Sequence, residues 1–132
     1  MRALIVEDEF TSRRLLENIL APYAEGMSVT NGEEAVAAFA EGLAEGRPFD
    51  LVCMDIMMPA MDGQQAVRTI RQLESASGVK PADEAKIIMI TALDDPKNVV
   101  SAYYRGGAAA YLTKPINVRE FLDLIRDMGL IL

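Results

Sequence analysis

Four of the five short apolar runs in this chain are followed at once by side chains that could do chemistry. Three acids, EDE at 7–9, follow the first run, and Asp55 follows the third within LVCMDIMMP. Thr91 follows the fourth run, and Thr113 and Lys114 follow the fifth. A carboxylate such as Asp55 is costly to bury unless it has a partner. The pattern indicates a shared site if the runs bring these residues together.

Together these side chains could bind a divalent cation and accept a phosphoryl group. Neighbouring carboxylates repel one another, and a hard cation such as Mg²⁺ relieves this repulsion by taking oxygen ligands. A lysine and a threonine hydroxyl would bind the remaining phosphoryl oxygens. Asp55 is then the natural nucleophile and would form an aspartyl phosphate. The chain contains no histidine, and this chemistry requires none from it.

Each of these residues also has a simpler interpretation when taken alone. An aspartate after a strand is more often a turn or cap residue than a functional one. The EDE segment could be a solvated turn, Thr91 could cap the next helix, and Lys114 could lie on the surface. Only the elements that carry these residues can decide whether they meet.

The apolar runs alternate with amphipathic stretches, which predicts an α/β fold of the (βα)5 type. The runs lie at 3–6, 27–30, 51–54, 87–90 and 109–112. Most are continuous, which is typical of parallel strands covered on both faces. The alternation predicts one doubly wound parallel sheet with right-handed crossovers. Ligands bind such sheets beyond the carboxyl ends of the strands, where the strand order reverses.

Helical spacing of apolar residues predicts a helix after each run. The fourth stripe, formed by Val99, Val100 and Tyr103, is the shortest. Capping boxes are predicted at Thr30 with Glu33 and at Asn117 with Glu120. Two long connections, 41–49 and 74–86, are predicted to be exposed loops or extended helix ends.

Length and composition favour a single domain over residues 1–132. The chain is 51% hydrophobic and 25% charged, which suits an ordinary globular core. No apolar run is long enough to span a bilayer, and the N-terminus turns acidic too early for a signal peptide. The net charge of −7 disfavours DNA and anionic membranes as partners. Cys53, the single cysteine, is predicted to be a core residue in a cytoplasmic, reducing setting.

Four motifs in this order resemble the response-regulator receiver domain, the phospho-acceptor half of bacterial two-component signalling. They are LIVEDE at 4–9, MDIMMPAMDG at 54–63, ITA at 90–92 and YLTKP at 111–115. The resemblance covers essentially the whole chain. It implies a flavodoxin-like fold with strand order 2-1-3-4-5.

The resemblance also implies roles for the acids. Asp55 corresponds to the phosphorylated aspartate and a ligand of Mg²⁺ or Mn²⁺. Asp8 corresponds to a direct metal ligand, and Glu7 to one that acts through water. Met57 would offer only its backbone carbonyl to the metal.

Roles for the remaining motif residues follow from the same resemblance. Thr91 would hydrogen-bond the phosphoryl group and Lys114 would pair with it. The Lys114–Pro115 peptide would be cis, as X-Pro bonds tolerate. Thr91 and Tyr111 would form the switch, with the tyrosine turning inward on activation.

This chain departs from many relatives at three positions. Glu7 stands where many have aspartate, and Met57 and Leu93 are apolar at positions that influence how water reaches the acyl phosphate. We therefore expect a comparatively long-lived phosphorylated state. Fast phosphate release that Met57→Asn or Leu93→Glu leaves unchanged would contradict this expectation.

The expected partners are a histidine kinase or a histidine phosphotransfer protein, which would donate the phosphoryl group. A downstream protein would bind the face formed by the fourth helix, fifth strand and fifth helix. The receiver would catalyse its own phosphorylation from the donor and its own dephosphorylation. No output domain follows, which suggests a stand-alone receiver, although a piece of a longer regulator or hybrid kinase would read the same.

Three other functional classes compete with this interpretation. A haloacid-dehalogenase-type phosphatase would want an acid at the position of Met57. A flavodoxin-like electron carrier would want a loop rich in Ser, Thr and Gly after the first strand. A degenerate receiver that only binds partners is disfavoured by the full set of Asp8, Asp55, Thr91 and Lys114.

Overall fold

The computed structural model contains the alternating strands and helices that the sequence predicts. It describes residues 1–56, 63–91 and 108–132. The strands are β1 (Arg2–Val6), β2 (Glu25–Val29), β3 (Leu51–Asp55), β4 (Lys86–Thr91) and β5 (Ala110–Thr113). The helices are α1 (Phe10–Leu20), α2 (Gly32–Ala44), α3 (Gly63–Ala76) and a C-terminal helix (Val118–Asp127), with a 3-10 turn at Pro81–Asp83. The predicted fourth helix lies outside the described residues.

All five strands are parallel and lie in the order β2-β1-β3-β4-β5, which confirms the predicted fold. Near the carboxyl edge, Val6 pairs with Met54, Asp55 with Ile90, and Thr91 with Thr113. This register brings the carboxyl ends of four adjacent strands to nearly the same level. The residues that follow these strands therefore share one edge of the sheet.

Apolar side chains cover the sheet on both faces. One cluster packs α2 and α3 on the sheet around Phe39, Met54 and Ile70. The other packs α1 and the C-terminal helix on the opposite face and includes Cys53 and Phe121. Cys53 is completely buried, which confirms its prediction as a core residue. No helix within the described residues is long and apolar enough to span a bilayer.

The second strand differs from its prediction. It begins at Glu25 and ends at Val29, before Thr30. Residues 25–27 are exposed, and Met27 retains 42% of its accessible surface. This strand lies at the edge of the sheet beside β1 alone, so it is not covered as the inner strands are.

One of the two predicted capping boxes is shifted by a residue. Asn31, rather than Thr30, caps α2, because its side chain accepts a hydrogen bond from the Glu34 N–H at 2.8 Å. Thr30 instead donates its N–H and hydroxyl to the Glu34 carboxylate. At the C-terminal helix the predicted cap is confirmed, since Asn117 accepts from the Glu120 N–H at 2.9 Å.

The long connection after α3 is organised by a buried acid. Helix α3 extends to Ala76, and this part of the connection is therefore an extended helix end, one of the two predicted alternatives. Glu74 is only 2% exposed and accepts hydrogen bonds from the Ala85 N–H at 2.8 Å and from Arg71 at 2.6 Å. This carboxylate ties the end of α3 to the start of β4.

Candidate functional site

The predicted acids meet where the strand order reverses, between β1 and β3. Glu7 and Asp8 follow β1 directly, and Asp55 is the last residue of β3. One carboxylate oxygen from each of the three lies within 4.8 Å of the others. Glu7 and Asp55 are buried, at 2% and 5% exposure, whereas Asp8 is exposed. Solvent therefore reaches the cluster of three acids from the side of Asp8, whereas Glu7 and Asp55 are shielded from it.

Lys114 reaches across the sheet edge from β5 to these acids. Its Nζ lies 2.6 Å from Glu7 Oε1 and 3.3 Å from Asp55 Oδ2. Its backbone N–H donates to the Thr91 carbonyl at 2.7 Å, which extends the pairing of β4 and β5. The Lys114–Pro115 peptide is cis. The lysine is therefore the counter-charge of two carboxylates that lie far from it in sequence.

The burial of Glu7 changes its acid–base behaviour. Burial raises the pKa of the Glu7 carboxyl from 4.5 to about 8; a hydrogen bond and charge repulsion with Asp55 add to the shift, and Lys114 opposes it. Burial also works against the charge of Lys114, but its hydrogen bond to Glu7 and its attraction to both acids outweigh this and raise the lysine pKa. The site therefore binds protons more tightly than separate acids would.

The donor atoms of the cluster fit a hard divalent cation. Glu7 Oε2 is buried and has no hydrogen-bond donor within reach among the described residues. A buried carboxylate oxygen without a donor is costly, and a cation or a water bound to that cation would satisfy it. Three carboxylates supply the oxygen ligands that Mg²⁺ and Mn²⁺ prefer.

The remaining predicted site residues occupy different environments. Thr91 ends β4 and is 1% exposed, beside the strands that carry Asp55 and Lys114. Tyr111 lies on β5 and is 44% exposed. Met57 and Leu93 lie outside the described residues.

Gly63, the last residue of the MDIMMPAMDG motif, is a positional requirement of this site. It is the first residue of α3, and its N–H donates to the Ile56 carbonyl at 3.1 Å. A Cβ at this position would lie 2.5 Å from the Asp55 carbonyl oxygen and 2.9 Å from Ile56 Cα. Only glycine allows α3 to begin this close to the strand that carries Asp55. The sequence signal was the glycine that ends MDG.

Comparison with known families identifies the architecture. The family model described as "Response regulator receiver domain" matches residues 3–126. The chain is 35% identical to the chemotaxis protein CheY of Thermotoga maritima over 130 residues, which cover 97% of each chain. It is also 31% identical to the histidine kinase CKI1 of Arabidopsis thaliana over 137 residues, which cover 96% of this chain. The chain spans only 13% and 12% of the length of two of its curated relatives, both of them histidine kinases.

Two solved structures show the same fold. The receiver domain of CKI1 complexed with Mg²⁺ superposes with a TM-score of 0.84 at 31% identity, over 96% of this chain and 90% of that one. The receiver domain of the Saccharomyces cerevisiae response regulator Ssk1, co-crystallised with the histidine phosphotransfer protein Ypd1, gives a TM-score of 0.83 at 26% identity. That match covers 98% of this chain and 88% of the other. With the family match over residues 3–126, the strand order and the acids at the switch point, this chain belongs to the response-regulator receiver family.

Proposed function

We propose that Asp55 accepts a phosphoryl group from a phosphohistidine and that the phosphorylated chain switches a protein-binding surface. The observation that carries this proposal is the pairing of two buried carboxylates, Glu7 and Asp55, with one lysine at the strand-order reversal. A buried carboxylate next to an ammonium group is suited to become an acyl phosphate, because the lysine remains to neutralise the transferred group. We propose that residues 1–132 form one receiver domain, as the family match over 3–126 supports.

In the proposed transfer, a carboxylate oxygen of Asp55 forms a bond to phosphorus while the P–N bond of the donor phosphohistidine breaks. The electron pair of that bond returns to the imidazole nitrogen. Lys114 pairs with a phosphoryl oxygen, and the Thr91 hydroxyl donates a hydrogen bond to another. Water later attacks the phosphorus and regenerates the carboxylate. Since residues 1–132 contain no histidine, the donor phosphohistidine lies outside them, on a histidine kinase or a phosphotransfer protein.

The metal belongs to this proposal as Mg²⁺ or Mn²⁺. Asp8 and Asp55 would hold the ion directly, Glu7 through a water, and Met57 through its backbone carbonyl. Bound there, the ion would neutralise charge on the phosphoryl oxygens during transfer. The 4.8 Å cluster and the donorless Glu7 Oε2 support this assignment, as does the relative that is complexed with Mg²⁺.

The proposed output is a shift between two packings around Thr91 and Tyr111. New charge at Asp55 would draw the Thr91 hydroxyl toward it, and the Tyr111 ring would move from solvent into the vacated space. The downstream protein would then bind the face that includes β5 and the C-terminal helix. Support comes from the present exposure of Tyr111 beside that helix. The buried free thiol of Cys53 and the CheY relatives support a bacterial, cytoplasmic setting.

Incubation with acetyl phosphate and Mg²⁺, read by intact mass, tests the acceptor. We expect one phosphoryl group on the wild type and none on Asp55→Asn. Asp83→Asn, which changes an exposed aspartate in the 3-10 turn, should gain the group as the wild type does. If the folded wild type gains nothing from acetyl phosphate or from a phosphohistidine donor, the chain is a binding module rather than an acceptor.

A further inference from the structure

Arg13 holds the backbone of the acid loop, defined as residues 7–9, from the side of α1. Its Nη1 donates to the Glu7 carbonyl oxygen at 3.2 Å. On the other side, the Glu7 N–H donates to the Val29 carbonyl of β2 at 3.1 Å. Both backbone polar groups of Glu7 are therefore engaged, one by the sheet and one by a side chain of the helix.

This contact acts on Asp8 as well as on Glu7. The Glu7 carbonyl belongs to the same planar peptide group as the Asp8 nitrogen. A donor that fixes the direction of this carbonyl also fixes the direction in which the chain leaves toward the Asp8 carboxylate. The Arg13 N–H also donates to the Glu9 carbonyl at 3.0 Å, so both ends of the loop are attached to one residue.

Phe10 provides a second contact for the Arg13 guanidinium. The Arg13 guanidinium carbon lies 5.6 Å from the centroid of the Phe10 ring, which is within cation–π range. Phe10 is 65% exposed, so its burial does not explain an aromatic residue at this position. Its ring instead supports the guanidinium that reaches the Glu7 carbonyl.

We propose that Arg13 is a positioning residue for metal binding, which holds the acid loop so that the carboxylates of Glu7 and Asp8 converge with Asp55. This inference rests on the proposed function, because it concerns the same cation. It adds a residue outside the carboxylate cluster, which acts through the backbone and does not touch the ion. Groups that orient metal ligands commonly change metal affinity by tenfold or more when removed.

The neighbouring arginine provides a matched control. Arg14 lies one residue further along α1 and pairs with Glu17 at 3.2 Å, with 58% of its side chain exposed. Arg13→Met retains the apolar stem and removes the donor, and Arg13→Lys retains a charged donor. Arg14→Met removes the same charge from the chain without touching the acid loop.

The test is the Mg²⁺ dissociation constant of each variant, from calorimetry well below the unfolding temperature, with thermal unfolding of the metal-free forms alongside. We expect Arg13→Met to weaken Mg²⁺ binding about tenfold, Arg13→Lys to recover most of the loss, and Arg14→Met to stay within about twofold. A purely structural role would lower the unfolding temperature of Arg13→Met and leave its Mg²⁺ affinity unchanged. That result would overturn the proposal.

Failure of this inference and failure of the proposed function are distinguishable in the same experiment. In one outcome, wild type and Arg13→Met bind Mg²⁺ equally well and the wild type is phosphorylated. This outcome rules out the proposed role of Arg13 and leaves the proposed function unaffected. In a second outcome, the wild type binds Mg²⁺ but accepts no phosphoryl group, and Arg13→Met binds Mg²⁺ more weakly than the wild type. This outcome supports the role of Arg13 and rules out Asp55 as the acceptor. A wild type that does not bind Mg²⁺ contradicts both.

Discussion

Two buried carboxylates share one ammonium group at the centre of the site. Lys114 Nζ lies 2.6 Å from Glu7 and 3.3 Å from Asp55, which leaves an excess negative charge in a poorly hydrated region. Such a site relieves its charge by binding a proton or a cation. The raised pKa of Glu7 indicates that the site binds a proton. The Glu7 Oε2 atom, which accepts no hydrogen bond from the described residues, favours the binding of a cation. Proton and metal should therefore compete at this residue.

Glu7→Gln should flatten the pH dependence of stability in the metal-free protein. The folded protein binds the Glu7 proton more tightly than the unfolded chain does, since its pKa is about 8 rather than 4.5. The stabilisation from this proton is complete below the unfolded pKa and is lost as pH rises through the folded pKa. Thermal unfolding from acid to mildly alkaline pH should therefore show the wild type losing several degrees relative to Glu7→Gln.

Glu33→Gln, which changes an exposed acid in the first turn of α2, serves as the control and should follow the wild-type curve. Added Mg²⁺ should restore more stability to the wild type at the alkaline end than at the acid end, because it replaces the proton. Parallel pH curves for wild type and Glu7→Gln would show that Glu7 does not titrate in this range.

Helix α3 is attached to the sheet near both of its own ends. It begins at Gly63 against the backbone of Asp55 and carries Glu74 near its other end, where it fastens the loop before β4. The helix is thus attached at the carboxyl end of β3 and at the amino end of β4. Each attachment depends on one residue, which makes the contribution of the element measurable.

Gly63→Ala should destabilise the fold and displace the backbone at Asp55. The new Cβ would lie 2.5 Å from the Asp55 carbonyl oxygen, so either α3 or the end of β3 must move. Overpacking of this kind typically costs about 1–3 kcal/mol, measurable by urea unfolding. Gly26→Ala is the matched control, because a Cβ there meets nothing within 4 Å, and its effect should stay within about 0.5 kcal/mol. Equal effects of the two substitutions would contradict this role of Gly63.

Glu74→Ala should loosen the far attachment of the same helix. The change leaves the buried Ala85 N–H without its acceptor and Arg71 without its closest partner. Loss of a buried, charge-assisted pair of bonds should cost about 2–3 kcal/mol in urea unfolding. Glu84→Ala removes the more distant and more exposed partner of Arg71, at 3.6 Å, and should cost less than about 1 kcal/mol. If Glu84→Ala lowers the free energy of unfolding as much as Glu74→Ala does, the ion pairs of Arg71, rather than the hydrogen bond of the Ala85 N–H, stabilise the loop before β4.

Apolar side chains cover both faces of the sheet at its centre, so we expect reagents to reach the centre only when the domain unfolds. Apolar side chains from helices cover one face around Met54 and the other around Cys53, which are neighbours on β3. All five residues of β3 are buried. The strand that carries Asp55 is therefore among the most protected of the described parts of the molecule.

Cys53 should report global unfolding through its reactivity. It is completely buried, and burial raises the pKa of its thiol to about 12, so native protein should hardly react with a thiol reagent. Labelling in urea should follow the cooperative unfolding transition, and Mg²⁺ should slow it further if it binds the native state. As the only cysteine, it gives a single signal, which Cys53→Ala should abolish. Rapid labelling of native protein would reveal a local opening at the sheet centre.

Local patterns predicted much of this architecture. The apolar runs and the helical stripes determined the alternation of strands and helices, because strand and helix periods appear in adjacent residues. The polar residues after four runs identified Asp8, Asp55, Thr91 and Lys114 as site candidates, because parallel strands expose their carboxyl ends at one edge. The bounds of β2 and the cap at Asn31 differ from their predictions, since both depend on the residue at which this strand ends in the sheet.

The chain by itself determined which side chains could meet, whereas the tertiary structure alone decided how they meet. Lys114 and Glu7 are separated by 107 residues, and Lys114 and Asp55 by 59, so their contacts depend on sheet register and strand order. The same holds for the close approach of Gly63 to Asp55 and for the hold of Arg13 on the Glu7 carbonyl. Residue types determine chemical capacity, and distances, burial and charge balance arise only when distant segments pack together.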